Sequence, residues 1–352
     1  SRSHFGSSGA VLVAGQFGDM GRTLALLLCP LLGAHVADAS AAIKVFGHKS
    51  PDTDTIISAM VYSWELNERK INATAHRLGE LTPETAYVLK ALGLEQPPLL
   101  TGVLPAKEAV AVVDTNNPEE LPEGILGAKI HSIVDHHKLS GLTNAEPLEI
   151  DMRPLCSAGS ILYARAKAFN LKIPKEIAGL MLSGLLSDSL EFRSPTTTET
   201  DKEFAKELGA LAGLDVHKHA EGMLEAKAQV DHLSPMELVK MDSKIFNIGS
   251  KKLRVSVLET TKPDVPLKKR DDLIKAQKEL VIEEKLDDCL LFVVDIIKES
   301  ATFLSSSASA SEIVEKAWGT KVADGTAVLP GVLSRKKQII PALEKAAAKA
   351  EL

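Results

Sequence analysis

Ala109-Val110-Ala111-Val112-Val113-Asp114 decides the fold. Five apolar residues in an unbroken run do not alternate as a half-exposed strand does; they read as a strand covered on both faces, as at the centre of a parallel sheet. Lys129-Ile130-His131-Ser132-Ile133-Val134-Asp135 repeats the pattern and again ends in aspartate, and Ile43-Lys44-Val45-Phe46 is a shorter run of the same kind. Helical stretches fall between them at 52–68 and 83–92, with a short strand at 72–78, and more helices are expected at 157–170, 175–187 and 198–212. This βαβ rhythm predicts an α/β fold with a parallel N-terminal sheet. Open α/β sheets bind ligands beyond the carboxyl ends of their strands, so Asp114 and Asp135 stand where a site is expected.

A polar stretch at 225–235 separates this block from a second segment, which reads as a strand at 252–258, a helix at 271–285, a strand at 290–297 and a terminal helix from Ile339. The expected organisation is a leader at 1–42, a catalytic domain at 43–226, a linker at 227–235, a smaller C-terminal α/β domain at 236–345 and a tail at 346–352. In the leader, Arg22 precedes an apolar run from Thr23 to Gly33 and then small residues, Ala37 to Ala41. Read from Met20, residues 20–42 resemble a signal peptide; a fusion scar or mistranslated leader fits equally well. Neither reading gives the leader a part in the catalytic fold.

Composition excludes several classes. The 352 residues carry 41 basic and 47 acidic side chains, a net charge of −6, with 45% apolar and 25% charged residues. That is a globular balance, and without a basic block there is little to neutralise a nucleic-acid backbone. Aromatic content of 4% argues against stacking platforms for single strands. Cys29, Cys156 and Cys289 are too far apart in sequence for a metal or redox pair, which makes a reducing compartment the default. No segment is long and apolar enough to span a bilayer.

Four clusters hold the polar residues that look out of place. In Gly47-His48-Lys49-Ser50-Pro51-Asp52-Thr53-Asp54-Thr55 a histidine and two carboxylates crowd one loop. Like charges two residues apart repel unless a cation or a helix N-terminus neutralises them, and imidazole with carboxylate suits a transition metal. An aspartate N-cap explains one carboxylate and leaves His48 over. Asp114-Thr115-Asn116 and Asp135-His136-His137 follow the two central strands, and successive side chains diverge there, so one imidazole can bind a metal while its neighbour faces a substrate. In Ser187-Asp188-Ser189 a carboxylate ends an apolar helix, against the dipole, where a bound cation resolves the conflict. Cys156 to Ser160 opens a helix whose backbone N–H groups suit an anion or an ordinary cap.

In order and spacing these clusters resemble the motifs of the DHH phosphoesterase superfamily, and Ser334-Arg335-Lys336-Lys337-Gln338 is similar to the signature of the family II, manganese-dependent inorganic pyrophosphatases. The resemblance covers residues 43–343. It implies a DHH domain and a smaller DHH-associated domain with the active site in the cleft between them. It further implies two divalent metals, Mn(II) or Co(II), with His48 and Asp52 on one, Asp54, His136 and Asp188 on the other, Asp114 bridging, and Mg(II) arriving with the substrate. His137 then protonates the leaving phosphate after hydroxide attack on pyrophosphate, while Lys244, Arg335 and Lys336 bind phosphate and Asp135 orients its neighbours. Thr115 stands where some members carry histidine. The resemblance also implies a cytoplasmic homodimer that binds no nucleic acid. A DHH enzyme acting on polyphosphate, short oligonucleotides or cyclic dinucleotides is the first rival, weakened by the lack of a glycine-rich C-terminal motif; a non-catalytic metal-dependent regulator is the second. His76, His131, His217, His219 and His232 match no motif and read as structural or exposed.

Overall fold

The computed structural model describes residues 42–350. The leader reading at 20–42 therefore falls almost wholly outside the described residues. The first sheet is made of β1 (Ile43–Phe46), β2 (Ala73–Ala75), β3 (Ala109–Val113), β4 (Lys129–Asp135) and β5 (Glu149–Met152), in the order β2-β1-β3-β4-β5 with every pair parallel. Its helices are α1 (Thr53–Glu68), α2 (Pro83–Ala91), α3 (Ala158–Ala168), α4 (Lys175–Ser189), α5 (Glu199–Ala212) and α6 (Val216–Lys227). β3 and β4 occupy the interior of the sheet, and Val110 to Val113 are fully buried, as their unbroken apolar run predicts. Asp114 and Asp135 thus come to the same carboxyl edge.

The second lobe begins with α7 (Pro235–Lys240), followed by β6 (Ser243–Ile248), β7 (Lys251–Thr260), α8 (Asp264–Leu267), α9 (Arg270–Glu283), β8 (Asp288–Asp295), β9 (Ser300–Leu304), α10 (Ala308–Trp318), β10 (Thr326–Pro330) and α11 (Ile340–Ala350). Its sheet has the order β10-β9-β8-β7-β6 and is mixed: β7 and β8 are parallel, and the other pairs antiparallel. The polar stretch that reads as a linker is partly helical, because α6 runs to Lys227 and α7 starts at Pro235 behind a Ser234 capping box. Among the described residues no helix is long and apolar enough to cross a membrane.

One buried ion pair ties the first lobe together. Arg165 of α3 donates from Nη2 to Glu65 Oε1 of α1 at 2.7 Å, with Glu65 fully buried and Arg165 nearly so. The same guanidinium also pairs through Nη1 with Glu149 at 2.7 Å and Asp151 at 3.2 Å on β5, so it fixes α1 and α3, the two helices whose N-termini meet at the site, against the edge of the sheet.

Candidate active site

Each acidic side chain reaches the carboxyl edge of the first sheet by a local device. Asp52 caps α1, its Oδ1 accepting from the Thr55 amide at 2.9 Å, which leaves Oδ2 facing His48 Nε2 at 3.5 Å. Asp54 crosses to the start of α3, where the Ala158 and Gly159 amides donate to its two oxygens at 2.6 and 3.1 Å. The anion that this helix N-terminus holds is therefore the protein's own carboxylate. Helix α4 can pass close by because Gly184 has no side chain; a Cβ there would lie 2.5 Å from Asp54 Oδ1. Asp114 follows β3 at φ +57°, a left-handed backbone that aspartate tolerates better than β-branched residues. This turns its carboxylate between two imidazoles: Oδ2 is 3.3 Å from His48 Nε2, and Oδ1 is 3.1 Å from His136 Nε2. Asp188 ends α4 with Oδ2 3.4 Å from His136 Nε2, just before a left-handed turn over Leu190, Glu191 and Phe192.

The structure therefore brings together all six residues that the sequence nominates as metal donors. Three overlapping groups have donor atoms within 4.8 Å of one another: His48 with Asp52 and Asp114, Asp54 with His136 and Asp188, and Asp114 with His136 and His137. The donor set fits a divalent cation on two grounds. His48 Nε2, His136 Nε2 and Asp114 Oδ1 are buried without a hydrogen-bond partner. Burial, reinforced by the neighbouring carboxylates, also pushes the Asp54 and Asp188 carboxyls well above their ordinary range, a repulsion that positive charge removes.

The second lobe supplies cations to the same cleft, about 380 Å³ in volume and lined by Asp52, His136, His137 and Asp188 opposite Lys244, Arg335 and Lys336. Lys244 lies on β6, 6% exposed, with Nζ 3.4 Å from Glu120 Oε2 of the first lobe. Burial pushes the Glu120 carboxyl up, but Lys244 and His48 outweigh it and hold the group at about 2. Arg335 opens a π-helical turn over Arg335–Ile339, a form of backbone frequent at functional sites, and is braced by Asp242: Nη2 to Oδ1 is 2.7 Å, and Nη1 donates to the Asp242 carbonyl at 3.0 Å. Lys336 Nζ has no hydrogen-bond partner, and burial lowers its pKa despite Asp188 and Asp114.

Two family models match the chain. Residues 42–185 match the model of the DHH family N-terminal domain, and residues 221–346 match that of the DHHA2 domain. The chain is 38% identical over 306 residues to the manganese-dependent inorganic pyrophosphatase of Bacillus subtilis, covering 87% of this chain and 99% of the relative. This chain belongs to the family II, manganese-dependent inorganic pyrophosphatases. A relative from Deinococcus radiodurans assigned to the same enzyme is 39% identical over 308 residues, covering 86% of this chain and 98% of its own. A crystal structure from Methanococcus jannaschii assigned to family II superposes with a TM-score of 0.79 at 33% identity, covering 87% of this chain and all of the other.

In this family II chain, His137 donates from Nδ1 to Asp135 Oδ1 at 2.9 Å, and Asp135 also accepts from Asn116 Nδ2 at 2.5 Å. Burial, Lys244 and His136 lower His137 to about 4 despite Asp135. Thr115 donates to Glu120 Oε2 at 2.8 Å, the same oxygen that faces Lys244. Glu120, Asp242, Glu84 and Lys227 also line the cleft, and motif reading selected none of them. No short pattern marks them, since each is defined by partners far off in sequence. His219 is buried against Ser183 Oγ at 2.8 Å, and His217 is exposed beside Glu191.

Proposed function

We propose that this protein hydrolyses inorganic pyrophosphate to two phosphates using two divalent ions, with Mn(II) favoured, Co(II) an alternative and Mg(II) accompanying the substrate. The observation that carries the reading is the meeting, over one cleft, of a buried cluster of His and Asp donors with three cationic side chains from the opposite lobe. His48 and Asp52 would hold one ion and Asp54, His136 and Asp188 the other, with Asp114 between two histidines as the bridge. Ions held there would supply Lewis acidity, lowering the pKa of water and neutralising phosphoryl oxygens.

The chain's own groups do the rest. Arg335, braced by Asp242, offers a planar fork to a phosphate, and Lys244 and Lys336 add point charges. Lys336 makes no hydrogen bond within the protein that an entering anion would have to displace. His137 is held at Nδ1 by Asp135 and borders the cleft. Its lowered pKa keeps it neutral near pH 7 in the free protein; a phosphate dianion beside it raises its proton affinity, which suits a group that takes up a proton and passes it to the leaving phosphate. Residues 43–226 then act as the catalytic domain and 236–345 as the substrate domain, joined by 227–235, and the family resemblance extends the reading to a homodimer. Phosphate release from pyrophosphate, polyphosphate and a dinucleotide by the Mn(II)-loaded protein tests the reading; a preference for either of the latter two would replace it with the broader DHH phosphoesterase reading.

A further inference from the structure

Glu84 lies beside the proposed ion site, 3% exposed, and takes no part in the reaction above. Its Oε2 accepts from Thr53 Oγ1 at 2.8 Å and from Ser187 Oγ at 2.7 Å. Thr53 sits between Asp52 and Asp54, and Ser187 immediately precedes Asp188. One carboxylate oxygen thus ties the N-terminus of α1 to the C-terminal turn of α4, the two backbone ends that carry three of the four acidic donors.

The same oxygen lies 3.3 Å from Lys227 Nζ, the last residue of α6, and Lys227 Nζ lies 2.7 Å from Glu259 Oε2 on β7 of the second lobe. All three side chains are largely buried, at 3%, 12% and 22% exposure. A second link runs parallel to this one. Leu190, two residues beyond Asp188 and held at φ +49°, is buried in the apolar cluster of the second sheet together with Leu224 of α6. The Asp188 end of the site is therefore joined to the second lobe by both packing and charge.

We propose that Glu84, Lys227 and Glu259 form a buried relay that holds Asp188 in register with Asp52 and Asp54 and makes that register depend on the second lobe; this rests on the divalent-ion reading of the site. Lys227 is in this account a positioning residue. Without its charge, two acidic side chains would face each other in a poorly solvated place with no cation between them, and Glu84 would hold its oxygen between Thr53 and Ser187 less firmly. Partners hydrogen-bonded directly to metal ligands typically change metal affinity by about 10- to 100-fold when removed, and Glu84 acts one residue further out, through Thr53 and Ser187, so a severalfold change is expected.

The test is Mn(II) titration of metal-stripped full-length protein by calorimetry, with no pyrophosphate present. Lys227→Met is expected to weaken Mn(II) binding by about fivefold or more, although Lys227 is no ligand in the proposed set, and Lys227→Arg is expected to stay within about twofold of wild type. Glu259→Gln, altered only on the second lobe, is expected to weaken binding severalfold. Wild-type affinity in Lys227→Met with only a lowered melting temperature would mean that the triad is merely structural and would overturn the proposal. An equal loss in Lys227→Arg would do the same. If Lys227→Met does not fold, Glu259→Gln decides alone: weaker binding supports the relay, and unchanged binding refutes it. A wild-type protein that binds Mn(II) and releases no phosphate would be a failure of the hydrolysis reading and not of the relay.

Discussion

Replacing Arg335 by alanine removes a guanidinium that Asp242 already holds in place, through a 2.7 Å ion pair and a 3.0 Å hydrogen bond to its carbonyl. The rotamer is fixed before any substrate arrives, so little entropy is lost on binding phosphate, and the contact is charge-assisted in a cleft where Arg335 is 14% exposed. One preorganised contact of this kind at a transition state is worth about 3 kcal/mol, which corresponds to roughly a hundredfold in turnover. The fold should lose about 1–3 kcal/mol, because Asp242 Oδ1, the oxygen that faces Arg335, is buried and has no hydrogen-bond partner to replace it. Metal content should not change, since no proposed donor touches Arg335. Arg335→Lys keeps the charge without the planar fork and should fall between the two. Lys337→Ala serves as the control: that side chain is exposed, and its loss should cost no more than about 0.5 kcal/mol. Steady-state kinetics on pyrophosphate, with metals counted on the same samples, reads all of this. Equal, mild losses at Arg335 and Lys337, or loss of metal in Arg335→Ala, would refute the clamp.

Asp114→Asn keeps the size of the side chain and tolerates φ +57°, so the protein should fold while losing tight binding of both ions; retention of two tightly held ions would sink the bridging role. His48→Ala should mainly weaken one ion, and metal content per chain compares the two variants. Burial holds His219 below its ordinary value of 6.5, so the folded state favours the neutral ring. Above that value the ring is neutral in both states and its contribution is intact. As pH falls below it, only the unfolded chain takes up the proton, and stability is lost. Urea midpoints across roughly pH 5 to 8 should show this acid limb flattened in His219→Gln, and an unchanged profile would assign the limb to other groups.

The sequence was most legible where burial on both faces forced a continuous apolar run, as in β3 and β4, and the two aspartates that end those strands lie at the centre of the site. Strands at the rim were harder to read. β5, Glu-Ile-Asp-Met, alternates charge at an exposed sheet edge, and β10 closes on Pro330, so neither carries the pattern of a covered strand. Helix α10 starts in a run of serines that reads as loop until Ser307 is seen to cap it. Lys244 shows the limit of local reading for the site. A lysine before Ile245 and Phe246 is ordinarily solvated, and only the family resemblance selected it; the fold buries it against Glu120, which lies 124 positions away in the chain. Glu84 and Lys227 were invisible for the same reason, because their partners come from other helices and the other lobe.

The central claim is that the His and Asp cluster holds two divalent ions over which pyrophosphate is hydrolysed, and the most direct test is phosphate release from pyrophosphate by metal-stripped protein during a stepwise addition of Mn(II). Release should be absent at the start, rise as the ions bind, and level off only when two ions are bound per chain, over and above those the substrate takes up. Release that needs no added metal, or none at all with the cluster filled, would contradict the account.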